Sequence, residues 1–250
     1  MRLHALPRRI LTVLTAGLAA AGILTTALAP PTTAAVGGIT THVVDGEPAT
    51  QTYPFLVYVG GCTGSLITST WVVTARHCPS PSTVRVGSTN SGSGGTVATV
   101  SRTVNHATLD VKLLELGTAV TQAPVPIPAE SGPVGTATRI IGWGLTCPTR
   151  GCAANPTIAH ELDTSIVADS LCSDINGTSE ICTDNPDGGG ACYGDSGGPQ
   201  VRQISGAWYL IGSTSRSGNG SSTCATAPSI YTDLPAIRSW ITQQVGTLPS

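Results

Sequence analysis

The sequence predicts an all-β chain built as two lobes, with one helix at its C-terminus. Three observations carry that reading. Short runs of β-type residues recur about every ten positions and are bounded by Gly, Pro, Ser and Asn, the spacing of a sandwich or barrel. A proline-rich stretch without periodicity, TAVTQAPVPIPAESGPVG at 118–135, divides the runs into two groups and reads as a crossing between lobes. Only the segment from Leu234 onward places apolar residues at helical spacing.

Taken in order, the first group comprises PFLVYV, GSLIT, WVVTA, TVRVG, TVATVSRTV and VKLLEL, between residues 54 and 116. The second comprises TRIIGWG, TSIVA, WYLIGS and SIYTDL, between residues 138 and 234. The helix follows from Ile237, Trp240 and Ile241 on one face, with Pro235 near the first turn and Gly246 as a stop. Its expected task is to cover a sheet.

The first 35 residues read as an export signal. Three arginines lie in MRLHALPRR, an apolar run extends from Ile10 to about Ala29, and Thr33-Ala34-Ala35 offers a small-residue cleavage site. Thr and Gly interrupt the run and Pro30-Pro31 ends it, which argues against a membrane anchor, and no later stretch approaches the ~20 apolar residues of a span. The mature chain, roughly 210 residues, is thus expected to be secreted and free of the membrane, as one large all-β domain or two small ones.

The formal net charge is −2, with 10% of residues charged and a single lysine, Lys112. No basic stripe is present to follow phosphates, so nucleic acid is not expected as a partner. All eight cysteines lie beyond the signal, an even count that in an exported chain favours disulfides. Counting alone leaves roughly a hundred pairings open. No C-x2-C occurs and no histidine sits at ligand spacing from a cysteine pair, so neither a metal nor another cofactor is expected.

The chemistry concentrates in ACYGDSGGPQ, residues 191–200. Such a cluster of Gly, Asp, Ser and Pro forms surface turns, and it also bends backbone N–H groups toward a nucleophile. Gly194, Ser196 and Gly198 fit the G-x-S-x-G elbow, whose histidine follows the serine. Here His4, His42, His77, His106 and His160 all precede Ser196, so the elbow is excluded. The order His…Asp…Ser remains, with His77 in WVVTARHC and Asp110 in NHATLDVKLLEL. Alone, each fits a structural histidine or a turn acid. Together with GDSGGP they point to a serine activated by a base. His106 and His160 are assigned structural roles.

Three motifs, T-A-x-H-C at Thr74–Cys78, D-x-x-L-L at Asp110–Leu114 and G-D-S-G-G-P at Gly194–Pro199, make the chain resemble the chymotrypsin/trypsin-like secreted serine proteases, as a bacterial-looking member. The resemblance runs from about Val43 to the terminal helix. It implies two antiparallel β-barrels packed face to face, spanning about 43–125 and 126–250. It further implies a secreted serine endopeptidase working through an acyl-enzyme, with His77 as base, Asp110 orienting it and Ser196 as nucleophile. The N–H groups of Gly194 and Ser196 would form the oxyanion hole. The family's disulfides would be Cys62–Cys78, Cys172–Cys182 and Cys192–Cys224, leaving Cys147 with Cys152.

The resemblance also implies maturation. A propeptide at 36–42 would be removed, and the new amine of Val43 would pair with Asp195; His42 and Asp45 depart from the usual residues there. Gly190 would floor the substrate pocket, with Ser215, Ser217 and Ser229 on its walls, which implies cleavage after apolar or small residues and disfavours Arg and Lys. Polypeptides are the implied partners of a monomer. Arg76, where a small residue is usual, is expected to reach solvent. The sequons at Asn176 and Asn219 are read as chance. A non-catalytic homologue acting as a binding module, and an esterase on the same scaffold, are the competing readings.

Overall fold

A computed structural model describes residues 43–250. The export signal, the 36–42 propeptide, His4 and His42 lie outside the described residues. In chain order the strands are β1 (Glu47–Pro48), β2 (Leu56–Tyr58), β3 (Thr63–Thr68), β4 (Trp71–Thr74), β5 (Thr83–Val86), β6 (Thr96–Asn105) and β7 (Lys112–Leu116). They continue as β8 (Ala137–Gly142), β9 (His160–Ser165), β10 (Glu180–Thr183), β11 (Pro199–Ile204), β12 (Ala207–Ser217) and β13 (Ser229–Asp233), and α1 (Arg238–Val245) follows.

Strands β2 to β7 close into an antiparallel barrel in the order β2-β3-β4-β7-β6-β5. Closure leaves no unpaired edge. Its filling is the set of β-branched and leucine side chains that mark these runs in the sequence, with Leu56, Leu66, Val73, Leu113 and Leu114 fully buried.

The remaining strands form a seven-stranded sheet ordered β1-β9-β8-β11-β12-β13-β10. It turns back on itself at one point. Strand β9 pairs with β1 at its start, and just past its end Ile166 bridges Thr183 of β10. The N–H groups of Val167 and Asp184 donate to the Cys182 and Ser165 carbonyls there, each at 2.9 Å. The fold is therefore mostly β with one C-terminal helix, as expected, but the second barrel is sealed by a short bridge instead of a full ladder.

Some boundaries differ from the sequence reading. Strand β1 precedes the first barrel in sequence yet pairs with β9, so the stretch at 43–48 belongs to the second sheet. The strand expected at TSIVA lies upstream at HELDTS, where charged residues hide the alternation. Strands β10 and β11 were not anticipated. EICT is only four residues long, and PQVRQI carries a buried Gln200 whose amide donates to Thr138 Oγ1 at 3.1 Å. The helix begins at Arg238, after a turn through Pro235, and ends at Gly246, whose φ of 82° suits glycine.

The proline-rich crossing has no regular structure, but its backbone touches both lobes. Val125 N–H donates to the Leu66 carbonyl, and the Pro126 carbonyl accepts from Leu210 N–H, each at 2.9 Å.

The single lysine is a structural cation. Lys112 is buried at the start of β7, and its ammonium donates to the carbonyls of Cys78 and Pro79 and to the Ser80 hydroxyl, at 2.5, 3.0 and 3.1 Å. Burial pulls its pKa below the usual lysine value, partly countered by the Asp110 charge. Three satisfied donors make the burial tolerable. Lys112→Met would leave carbonyls of the 78–79 turn without a partner, costing about 1–3 kcal/mol. A thermal melt of the purified variant is expected to fall by roughly 5 °C; an unchanged melt would show that this lysine does not hold the turn.

Candidate active site

Strand pairing brings the imidazole and the carboxylate together. Strands β4 and β7 are neighbours, and their ladder ends at the pair Thr74 and Lys112. Residues just beyond that end on both strands, His77 and Asp110, therefore emerge at the same rim of the barrel. His77 Nδ1 lies 2.8 Å from Asp110 Oδ2, and the His77 backbone N–H donates to Oδ1 at 3.1 Å. The second sheet contributes as well, since the Ser215 hydroxyl of β12 donates to Oδ2 at 2.7 Å.

Burial alone would raise the Asp110 pKa, but the bonds from His77 and Ser215 outweigh it and hold the carboxyl below its usual range. An ionised Asp110 accepts the Nδ1 proton and leaves Nε2 as the acceptor facing the cleft. His77 itself is half-exposed.

Ser196 sits on the loop between Cys192 and β11. Its carbonyl accepts from Thr63 N–H at 2.9 Å, and Gly197 N–H donates to the Thr214 carbonyl at 2.8 Å, so the loop is anchored to both lobes. Gly197 (φ 77°) passes so close under Thr74 that a Cβ would overlap its hydroxyl. Ser196 and His77 line one cleft. Within the described residues, the N–H groups of Gly194 and Ser196 enter no hydrogen bond. They are the donors that the sequence nominated for an oxyanion.

Asp195 points the other way. It is fully buried and accepts from Gly144 N–H at 2.8 Å and Cys192 N–H at 2.9 Å. A Cβ at Gly142 or Gly144 would overlap the carboxylate, which explains the glycines in GWG. Val43 is buried in an apolar cluster with Ile140, Ile181, Ile211 and Tyr231. Burial, then the charge of Asp195, push the pKa of the Tyr231 hydroxyl upward.

The other nominated residues are distributed as follows. Ser215, Ser217 and Ser229 line the cleft with Ala191. Gly190 is not in the lining; it lies behind, where its N–H donates to the Val44 carbonyl at 2.9 Å. Cys62 is bonded to Cys78, Cys147 to Cys152, Cys172 to Cys182 and Cys192 to Cys224.

His106 accepts from the Thr108 and Leu109 N–H groups and packs edge-on against Trp240, with ring centroids 4.8 Å apart. It shapes the turn into Asp110, while His160 is buried in β9. Arg76 does not simply reach solvent. It donates to the carbonyls of His106 and Ala107, at 3.3 and 3.1 Å, because those acceptors face it across the rim.

Among the lining residues that the sequence reading missed are Arg150, Tyr193 and Arg216. The Arg150 guanidinium lies 3.7 Å from the centre of the Tyr193 ring, and Arg216 pairs with Glu180. Arg216, directly after Ser215, and Tyr193, directly before Gly194, carried a local signal, and Arg150 did not.

A family model described as "Trypsin" matches residues 43–241. "Trypsin 5G1" of Aedes aegypti is 31% identical over 242 residues, covering 82% of this chain and 85% of that one. Among solved structures, mouse neuropsin, described as a serine protease expressed in the limbic system of the brain, superposes with a TM-score of 0.69 at 22% identity. That match covers 80% of this chain and 98% of neuropsin.

Asp195 generates a pH prediction for the unprocessed chain. Among the described residues it has no cationic partner, and burial raises its pKa from 3.8 to about 6. The folded state therefore binds this proton more tightly than the unfolded state. Its stabilising contribution is full below the ordinary carboxylate value and disappears as pH climbs through about 6. Thermal melts of the full-length chain are expected to fall between about pH 4 and pH 7 more steeply than those of Asp195→Asn. Parallel profiles would rule out this carboxyl as the source.

Proposed function

The chain belongs to the trypsin family of serine endopeptidases, and on that premise we propose that it cleaves polypeptides through a His77–Asp110–Ser196 triad. One observation carries the reading: a single carboxylate takes hydrogen bonds from the His77 ring and backbone and from Ser215 of the other sheet. An ion pair that served only stability would not need a half-exposed imidazole beside a serine-lined cleft.

The chemistry follows from those positions. His77 Nε2 takes the Ser196 proton as Oγ attacks the scissile carbonyl, and Asp110 stabilises the resulting imidazolium. The developing oxyanion accepts from the Gly194 and Ser196 N–H groups, a contribution worth about 100- to 1000-fold in rate per donor. His77 then protonates the leaving amine, and water enters by the same route in reverse to release the acyl group.

Maturation and specificity belong to the same proposal. The export signal would direct the chain outside the cell, and loss of residues 36–42 would leave Val43 as the new N-terminus. Two features support this start. Val43 is already buried, and the buried Asp195 carboxylate lacks a cation among the described residues. The Val43 φ of 38° is a conformation that β-branched residues rarely adopt. Cutting the bond before Val43 removes that constraint and supplies an ammonium for Asp195. The pocket, with Gly190 behind Ala191 and serines on its walls, offers no carboxylate for a basic side chain, so uncharged P1 residues are the expected targets. The domain at 43–250 would act as a monomer.

An organophosphonate probe is expected to label Ser196 in the processed protein, and Ser196→Ala is expected to lower peptide turnover by ~10^5-fold or more. Absence of labelling would favour a binding module, and ester turnover without peptide turnover would favour an esterase. In an unbiased peptide pool, cuts are expected after apolar and small residues; cuts chiefly after Arg or Lys would overturn the pocket assignment. N-terminal sequencing of the secreted form is expected to begin at Val43, and a start elsewhere would refute the proposed maturation.

A further inference from the structure

Resting on the serine-protease reading, we infer that Thr63 and Asn155 are positioning residues that lock the Gly194 backbone with its N–H facing the cleft. Neither residue lines the cleft, so each acts through the loop.

Gly194 is flanked by two peptide units, and each is held by a side chain. In the upstream unit, the Tyr193 carbonyl accepts from Leu145 N–H and from Asn155 Nδ2, both at 2.9 Å. The same Asn155 amide also donates to the Trp143 carbonyl at 2.7 Å, so one NH2 group bridges two strands of backbone. In a planar trans peptide the C=O and N–H point in opposite directions. Tying the Tyr193 oxygen toward residues 143–155 therefore turns the Gly194 N–H to the other side.

In the downstream unit, the Gly194 carbonyl accepts from the Thr63 hydroxyl at 2.9 Å. Thr63 is fully buried and is itself fixed, since its N–H donates to the Ser196 carbonyl at 2.9 Å and its own carbonyl accepts from Thr74 Oγ1 at 2.7 Å. The two clamps come from opposite sides of the loop, Thr63 from the first barrel and Asn155 from the segment before β9.

Such clamps have a physical reason. Gly194 holds φ at 113°, and a Cβ there would lie 2.7 Å from the Trp143 carbonyl and overlap the Asn155 amide, so only glycine fits. Glycine turns most freely of all residues, and an oxyanion donor must be preorganised to lower the barrier. The Asn155 segment is itself restrained by the Cys147–Cys152 disulfide and by Arg150 stacked on Tyr193.

The test uses the processed protein, a peptide nitroanilide taken from its preferred cleavage sequence, active-site titration, and a peptide boronate whose adduct on Ser196 sets an oxygen among the oxyanion donors. Thr63→Val and Asn155→Ala are each expected to lower kcat per titrated site by roughly tenfold, with KM within about twofold, and to weaken the boronate in parallel. The double variant is expected to approach the ~100-fold or greater loss of a whole donor, and Thr63→Ser to restore activity.

A lower melting temperature with wild-type kcat per titrated site and wild-type boronate affinity would overturn the inference, because a purely structural role moves only stability. Should Thr63→Val not fold, Asn155→Ala, on an exposed loop, decides alone. A wild type that takes neither phosphonate nor peptide overturns the protease reading and this inference together. An active wild type with unaffected variants overturns this inference only.

Discussion

The Asp110 carboxylate is the point at which the two lobes become one functional object. Its donors are divided between the first barrel, through His77, and the second sheet, through Ser215, while Thr232 of β13 donates to the Asp110 backbone carbonyl at 3.4 Å. The apolar burial of the lobes is shared, since one core cluster joins Leu66 and Leu113 of the first barrel to Ile141, Val201 and Leu210 of the second sheet. The shared carboxylate adds a polar tie between the β4–β7 rim and β12. Because the group is partly buried, which alone would raise its pKa, those donors are what hold it below the usual carboxylate range. Relaxation between the lobes would remove the Ser215 bond and raise its pKa, while the His77 bonds lie within the first barrel.

Around that carboxylate the molecule spends buried polarity to hold backbone, a pattern that extends from Lys112 to Asp195. The single lysine fixes the turn after His77 from the strand that follows Asp110, and Asp195 gathers the N–H groups of Cys192 and Gly144. Arg85 does the same for a glycine- and serine-rich loop, donating to the carbonyls of Ser91, Gly92 and Gly94 at 3.0, 3.1 and 2.6 Å. In each case a charged side chain organises a loop that is too small or too glycine-rich to pack an apolar core of its own. Glycines supply the turns, and buried charges remove the freedom that the glycines bring.

How much of this was legible in the sequence depends on the range of the interaction. Strands such as WVVTA and VKLLEL announce themselves because their burial is local and continuous, and His77 and Asp110 become visible through their place beside those runs. Ser196 is visible because its loop needs a particular set of glycines. By contrast, β1 and β10 are too short to show a period, and β11 hides behind a buried glutamine. Arg150 and Asn155 meet the Ser196 loop only through folding, Asn155 across 38 positions to Tyr193. Nothing in the local string distinguishes that asparagine from a surface residue.

The cleft shows the same division between what a residue type declares and what its neighbours make of it. Arginines 150 and 216 both line it, and composition alone would suggest a cationic site. Their partners differ. Arg216 is held by two bonds to the buried Glu180, at 2.5 and 2.9 Å, and its charge is balanced before any substrate arrives. Arg150 lies over the Tyr193 ring, with no carboxylate bonded to it among the described residues. The lining thus combines uncharged serines and alanines with one arginine that no carboxylate balances among the described residues, because a neighbour decides whether a charge stays available.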